Sequence, residues 1–310
     1  MKRAEVSAVA VVLMVSFMSV SGCSSDAANT YSKTIQEMTT DINRQVTDDK
    51  VKGLAIALID DQRTVWVEGF GKADVANDIV ATADTHFEIG SNSKTFAGAM
   101  IAQLVEKELI DIDKPVATYL PGFKIAAPLG FTAGNPITIR TMLTHHSGIP
   151  GDIFNGGFTL EGKPHKTMKE MNQWFLDYLA NDHQTFPVDL IGSYSNTAVA
   201  LLSDVIANAS STDFAAYSEA LFSKLGMDRT SFDRDSPKVA DNVSKGYAAG
   251  SEAGPFRCNL GTSGSVISTA RDMAKYLKMI TGNGIGERGR VLLPTTLETM
   301  LTKPVYRSAS

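Results

Sequence analysis

The sequence predicts a mixed α/β fold, because a helical face, a hairpin pattern and a long helix-rich stretch follow one another. Early in the chain an apolar residue recurs every three or four positions: Tyr31, Ile35, Met38, Ile42 and Val46. The continuous apolar run 54–59 and the alternating run 64–70 enclose four polar residues, which is typical of a β-hairpin. With 310 residues, 43% hydrophobic and 20% charged, the composition suits a globular protein.

The helices expected after the hairpin carry start signals. Thr138 is expected to cap a helix that runs to Gly148. Thr167 and Glu170 have the spacing of a capping box, in which each side chain binds the other residue's backbone N–H. A single helix is expected over 196–207. The helices therefore outnumber the strands, and a lone hairpin needs further strands to be stable.

The N-terminal segment is predicted to be a targeting sequence. A basic start precedes the apolar run 8–20, which is shorter than the roughly 20 residues a membrane-spanning helix needs. Val-Ser-Gly-Cys at its end resembles a bacterial lipoprotein cleavage site. We therefore expect a signal peptide over 1–22, a lipid on Cys23 and a tether over 23–30, in an exported protein anchored on the periplasmic side of the cell envelope. The alternative is a plain signal peptide with a chance cysteine.

Charge and residue clusters exclude several other classes. The formal net charge of −5, without a Lys/Arg-rich run, gives no field for nucleic acid. His145 and His146 are adjacent, and neighbouring side chains on a helix point about 100° apart, so they do not share one ion easily. No His-Glu-x-x-His pattern is present. We expect no metal, no cofactor, and membrane contact through the lipid anchor only.

A candidate nucleophile lies at the start of the helix expected from about Ser91 to Glu108. A serine hydroxyl needs a base within hydrogen-bond reach before it attacks a carbonyl. Ser91 and Lys94 are three residues apart, so their side chains share one helical face. The helix N-terminus adds amide donors for a developing oxyanion. Ser-x-x-Lys alone is a weak signal, but here it opens a long amphipathic helix.

Tyr194-Ser195-Asn196 supplies a second element. A phenol close to a lysine ammonium is stabilised as phenolate, so Tyr194 is a candidate to take the proton of Ser91 and pass it to the leaving group. Asn196 is expected to hold the substrate carbonyl or Lys94. The alternative for Tyr194 is an ordinary half-buried tyrosine at a helix start.

These segments resemble the family of class C β-lactamases, D,D-peptidases and related esterases. Phe87-Glu88-Ile89-Gly90-Ser91-Asn92-Ser93-Lys94 is similar to its first motif, Tyr194-Ser195-Asn196 to its second, and Leu143-Thr144-His145-His146-Ser147-Gly148 to a supporting turn. The resemblance implies a serine β-lactamase/transpeptidase-like fold, with a helical domain and an antiparallel sheet. It also implies that Ser91 is acylated, Lys94 is its charge partner, Tyr194 carries the proton and Asn196 contacts substrate or lysine.

The family's third motif, Lys-Thr-Gly or His-x-Gly on a strand, is not recognisable in this sequence. Family spacing would place it after residue 310, so we expect the domain over 31–310 to be incomplete at its C-terminus and to lack C-terminal strands. The expected function is a serine hydrolase that forms an acyl-enzyme on Ser91 and acts on a β-lactam, a peptidoglycan D-Ala peptide, or a small ester or amide. The alternative is a non-catalytic envelope lipoprotein that binds cell wall or a partner.

Overall fold

The computed structural model describes residues 13–15, 31–151, 167–239, 241–248, 250–253 and 260–302. They divide into two compact units. The first takes the described residues that fall within Met1–Glu88, Phe222–Phe256 and Ile267–Val291, and the second takes those within Ile89–Leu221, Arg257–Val266 and Leu292–Ser310. Most of the expected signal peptide, 1–22, and the expected lipidation site, Cys23, lie outside the described residues. Export and lipidation therefore stay predictions.

A four-stranded sheet with the order β1-β2-β3-β4 forms the first unit's frame. Its strands are β1 (Leu13–Val15), β2 (Gly53–Asp60), β3 (Arg63–Asp74) and β4 (Ile79–Val80). β2 and β3 pair antiparallel across a two-residue turn, which confirms the predicted hairpin. The backbone of β1, inside the segment expected to be a signal peptide, runs parallel to β2.

Two helices cover this sheet. Helix α1 (Ser32–Thr47) packs against β3, and helix α8 (Ala270–Thr281) packs against β2 and β3. Ala55 of β2 and Phe87 of β5 (Phe87–Glu88) form a buried apolar cluster with Ala270. Ile59 forms a second one with α8. The apolar members of the hairpin thus face a helix, as burial of one sheet face requires.

Further short strands pair outside that sheet in the first unit. β5 pairs antiparallel with β8 (Ile267–Ser268), although about 180 residues separate them in sequence. The remaining pairs are β6 (Tyr247–Ala248) with β7 (Ser251–Glu252), and β9 (Ile285–Gly286) with β10 (Gly289–Arg290).

The second unit is helical. It contains α2 (Ser93–Glu106), α3 (Ile139–Leu143), α4 (Met168–Leu179), α5 (Asn196–Ala200), α6 (Leu202–Ser210) and α9 (Pro294–Thr302), and α7 (Phe214–Leu225) runs from it into the first unit. Helix α2 packs against α6 and against a 3-10 turn, Gly261–Ser263. Phe96, Met100 and Leu104 of α2 are fully buried, so this helix is the centre of the unit's core. Of the helices that the structure describes, none is both long and apolar enough to cross a membrane.

The structure confirms one predicted helix start and divides one predicted helix. The capping box of Thr167 and Glu170 is confirmed, with both reciprocal hydrogen bonds formed. The single helix over 196–207 is wrong: α5 ends at Ala200, where the Thr262 hydroxyl donates to the carbonyls of Val199 and Ala200.

The helix expected to run from Thr138 to Gly148 is also shorter. Thr138 caps it as predicted, but α3 ends at Leu143 and His145 adopts a left-handed backbone with φ +61°. This conformation ends a helix, because it turns the chain away from the axis.

Candidate active site

Ser91 stands in a tight turn directly before α2. Residues Gly90–Asn92 form one 3-10 turn rather than the first α-turn expected from the sequence. Gly90 has φ +52°, a conformation that a residue with a side chain adopts at a cost. The buried Ser93 donates to the Gly90 carbonyl over 2.6 Å and accepts from the Val266 N–H over 3.0 Å. These contacts fix the turn, and the Ser91 side chain remains exposed.

Lys94 lies one helical turn after Ser91 and points its ammonium at three oxygens. Its Nζ donates to Ser91 Oγ over 3.1 Å, to Asn196 Oδ1 over 2.7 Å and to the Ser263 carbonyl over 2.5 Å. An ammonium has three N–H donors, so each has an acceptor. The three acceptors are neutral, and the positive charge is therefore not cancelled by these partners.

Tyr194 meets Ser91 from a different segment of the chain. Its hydroxyl donates to Ser91 Oγ over 2.7 Å, and Lys94 Nζ lies 4.8 Å from the centre of its ring. A cation at this distance from an aromatic ring is attracted to it and also stabilises negative charge on the phenol oxygen. The phenol is half exposed, so a substrate has access to the Ser91–Tyr194 contact.

The turn before α5 fixes Tyr194 and Asn196. Ser195, between them, is buried and caps α5 by accepting from the Ala198 N–H over 3.0 Å. Its hydroxyl also donates to the Pro150 carbonyl over 3.2 Å. Since Ser195 points inward in an extended backbone, its two neighbours are presented on the other side, toward Ser91 and Lys94.

His145 contacts the same tyrosine. The two ring centres lie 4.4 Å apart with the planes tilted by 38°. Burial lowers the pKa of His145 below its ordinary value, and the charges of Lys94 and His146 lower it further. Each of these effects favours the neutral form of the ring.

The structure brings all four predicted residues of the site together. Ser91, Lys94 and Tyr194 form one hydrogen-bonded group. Asn196 was expected to contact the substrate carbonyl or Lys94, and the structure shows its contact with Lys94. Their roles in catalysis stay predictions. Among the described residues, no group of three His, Cys, Asp or Glu side chains is arranged to hold a metal ion.

Two contributors to the site were not predicted. Ser93 was only the spacer in Ser-x-x-Lys, although its side chain holds the turn that carries Ser91. Ser263 contributes a backbone carbonyl, and a carbonyl belongs to every residue, so residue types give no signal for it.

A family model and several known proteins are similar to this chain over most of its length. The Beta-lactamase family model matches residues 35–309. The Unguisins hydrolase ungD of Aspergillus violaceofuscus is 28% identical over 245 residues, which are 74% of this chain and 42% of that protein. Penicillin-binding protein 4 of Amycolatopsis lactamdurans is 26% identical, over 73% of this chain and 59% of its own length. The chain thus spans about half the length of these relatives.

A solved structure has the same fold. The octameric penicillin-binding protein homologue from Pyrococcus abyssi superposes with a TM-score of 0.73 at 25% identity, over 86% of this chain and 60% of that one. The predicted serine β-lactamase/transpeptidase-like fold is therefore confirmed. Because the family model matches most of its length, the chain belongs to the Beta-lactamase family, a family of serine hydrolases.

Proposed function

We propose that this protein hydrolyses its substrate through an acyl-enzyme formed on Ser91. One observation carries the proposal: Ser91 Oγ lies within hydrogen-bond distance of both Lys94 Nζ, at 3.1 Å, and Tyr194 Oη, at 2.7 Å. A serine at a helix start with a base and a cation on its hydroxyl is the arrangement that nucleophilic catalysis requires. The membership of a serine hydrolase family supports the same chemistry.

Acylation begins from a form in which Tyr194 is a phenolate, stabilised by the ammonium of Lys94, and accepts a hydrogen bond from the Ser91 hydroxyl instead of donating one. Ser91 Oγ attacks the carbonyl carbon of the substrate while its proton moves across the 2.7 Å contact to Tyr194 Oη. The bond between the carbonyl carbon and the leaving group breaks, and Tyr194 gives that proton to the leaving group. The ester on Ser91 and the phenolate of Tyr194 remain.

Deacylation repeats these steps with water. Tyr194 takes a proton from a water molecule, the resulting hydroxide attacks the ester carbon, and the carbon–Oγ bond breaks. Ser91 Oγ then recovers the proton from Tyr194, and the acid product leaves. The developing oxyanion in both halves lies near the start of α2, where the helix dipole and the Ser91 amide favour negative charge.

The substrate class we propose is a β-lactam, a D-Ala peptide of peptidoglycan, or a small ester or amide. The names of the similar proteins support this range, because they include a hydrolase, a penicillin-binding protein and a homologue of one. We further propose that the protein is exported and held at the bacterial envelope by a lipid on Cys23. A peptidoglycan-derived substrate would be accessible there.

The test is intact-mass analysis after exposure to a fluorescent penicillin and, separately, to a fluorophosphonate. We expect one covalent adduct with at least one probe, absent in Ser91→Ala. Thr95→Ala is the matched control, since Thr95 is an exposed hydroxyl one residue after Lys94, and this variant should keep the adduct. A folded protein that reacts with neither probe would favour the alternative of a non-catalytic envelope lipoprotein.

A further inference from the structure

His145 takes a backbone position at which a glycine is usual. After α3, the His145 N–H bonds the Met142 carbonyl over 3.3 Å and the His146 N–H bonds the Thr141 carbonyl over 2.8 Å. This pair of bonds, with φ +61° at His145, is the Schellman arrangement, whose left-handed residue is most often glycine because a side chain is disfavoured there. Ending the helix therefore does not require a histidine.

The His145 side chain and backbone hold three consecutive residues around Tyr194. The His145 carbonyl accepts from the Ser193 N–H over 2.8 Å, and its Nδ1 accepts from the Ser195 N–H over 3.2 Å. Between these two bonds, the imidazole lies against the Tyr194 ring with centres 4.4 Å apart. His145 thus holds the backbone on both sides of Tyr194, and its imidazole holds the ring that carries the phenol oxygen.

These contacts require a neutral imidazole with one tautomer. Nδ1 accepts only when it carries no proton, so the proton of the neutral ring is on Nε2. A protonated ring would point a second donor at the Ser195 N–H. Burial and the nearby cation of Lys94 lower the pKa of His145 and favour the neutral form.

We propose that His145 is a positioning residue that orients the Tyr194 phenol toward Ser91, a role that rests on the proposed acylation of Ser91. The imidazole acts through Tyr194 and takes no proton from the substrate. A misplacement of about 1 Å at a reacting group costs about 10²-fold in rate, which sets the scale of the effect.

The first experiment compares the rate of Ser91 acylation with the melting temperature. His145→Gly removes the ring and the acceptor but suits the left-handed backbone, so we expect acylation about 10²-fold slower and a melting temperature within about 3 °C of wild type or higher. His145→Asn tolerates the same backbone and keeps a side-chain oxygen close to the Nδ1 position, so it should recover part of the lost rate. His183→Asn, a half-exposed histidine of the same unit, is the control and should leave both quantities unchanged.

The second experiment repeats His145→Gly in a Tyr194→Phe background. If His145 acts through the phenol, the additional loss should be less than about twofold, because coupled residues are not additive. An equal loss in both backgrounds, or a fall in rate and melting temperature in step across the variants, would overturn the proposal. Absence of any adduct on wild-type protein would instead refute the acylation of Ser91 itself.

A measurement on wild-type protein covers the case in which the variants do not fold. Nitrogen-15 spectra of labelled histidine at pH 7 should show one ring with Nε2 protonated and Nδ1 bare, assigned by its loss in His145→Asn or by contacts to Tyr194 protons. A cationic ring or the opposite tautomer at this residue would contradict the contact on which the inference depends.

Discussion

Lys94 and Lys275 each lie three residues after a polar partner near the start of a helix, but the groups around their charges differ. Lys94 donates to Ser91, Asn196 and the Ser263 carbonyl, which are all neutral. Of the residues that the structure describes, no carboxylate forms an ion pair with Lys94. In the other unit, Lys275 lies 3.0 Å from the buried carboxylate of Asp272.

This difference shows which lysine can act on a neighbour. The charge of Lys275 is cancelled by Asp272 and, at 3.9 Å, by Glu287, so its effect is to stabilise a buried carboxylate. The charge of Lys94 remains available to the Ser91 oxygen and the Tyr194 phenol. The same spacing on a helix therefore gives a structural ion pair in one unit and a candidate catalytic pair in the other.

The largest expected effect is that of Lys94→Met. The acylation rate of Ser91 should fall about 10³–10⁴-fold, because proton transfer to Tyr194 loses the cation that supports it. The free energy of unfolding should change by less than about 1 kcal/mol, since the cost of burying part of a cation is removed together with its hydrogen bonds. Stopped-flow labelling and urea unfolding measure the two quantities. A fall in stability without a fall in the acylation rate would mean that Lys94, like Lys275, is a structural lysine.

Lys275→Met should have the opposite result. Asp272 is 2% exposed and would lose its cation, which costs about 3 kcal/mol for a buried pair, while the acylation rate of the folded protein should be unchanged. Lys278→Met is the matched control on the same helix. Its partner is the more exposed Glu287, at 3.4 Å, and a change below about 1 kcal/mol is expected. Equal destabilisation by the two variants would show that the buried ion pair of Lys275 with Asp272 stabilises the fold no more than the exposed pair of Lys278 with Glu287.

Only part of this contrast could be predicted from the sequence. The spacing of Ser91 and Lys94 predicted a shared helical face, and the capping box of Thr167 and Glu170 and the hairpin are also local patterns. A local pattern is enough when the partners lie within a few residues. The meeting of Tyr194 with Ser91 was expected from the family resemblance rather than from spacing.

Features that depend on distant partners could not be predicted. At the break between α5 and α6, the Val199 carbonyl accepts from the Thr262 hydroxyl, about 60 residues later in the chain. The third oxygen on Lys94 is a backbone carbonyl, which has no residue signature. His145 was considered as a metal ligand and as part of a turn shared with the family, but not as a contact of Tyr194, because nothing in its sequence neighbourhood shows a left-handed backbone or a ring contact with that residue.

The smallest expected effect concerns an exposed ion pair of the first unit. Arg271, bound to Asp84 at 2.8 Å, holds the pKa of that carboxyl below its ordinary value. A carboxyl whose pKa is lower in the folded state stabilises the fold above its unfolded pKa of about 4, and this contribution is lost as pH falls. Asp84→Asn should therefore cost about 0.5 kcal/mol at pH 7, and the difference from wild type should shrink toward pH 3. Urea unfolding at both pH values measures it, and a difference that grows toward acid would contradict the assigned direction.

The most direct test of the central claim is to locate the covalent adduct. Trypsin cleavage after Lys72 and Lys94 releases residues 73–94, which include Ser91 and Ser93. After reaction with the probe that labels the intact protein, fragmentation of this peptide should place the added mass on Ser91, and Tyr194→Phe should slow its appearance. An adduct on Ser93 or outside this peptide would contradict the proposed nucleophile.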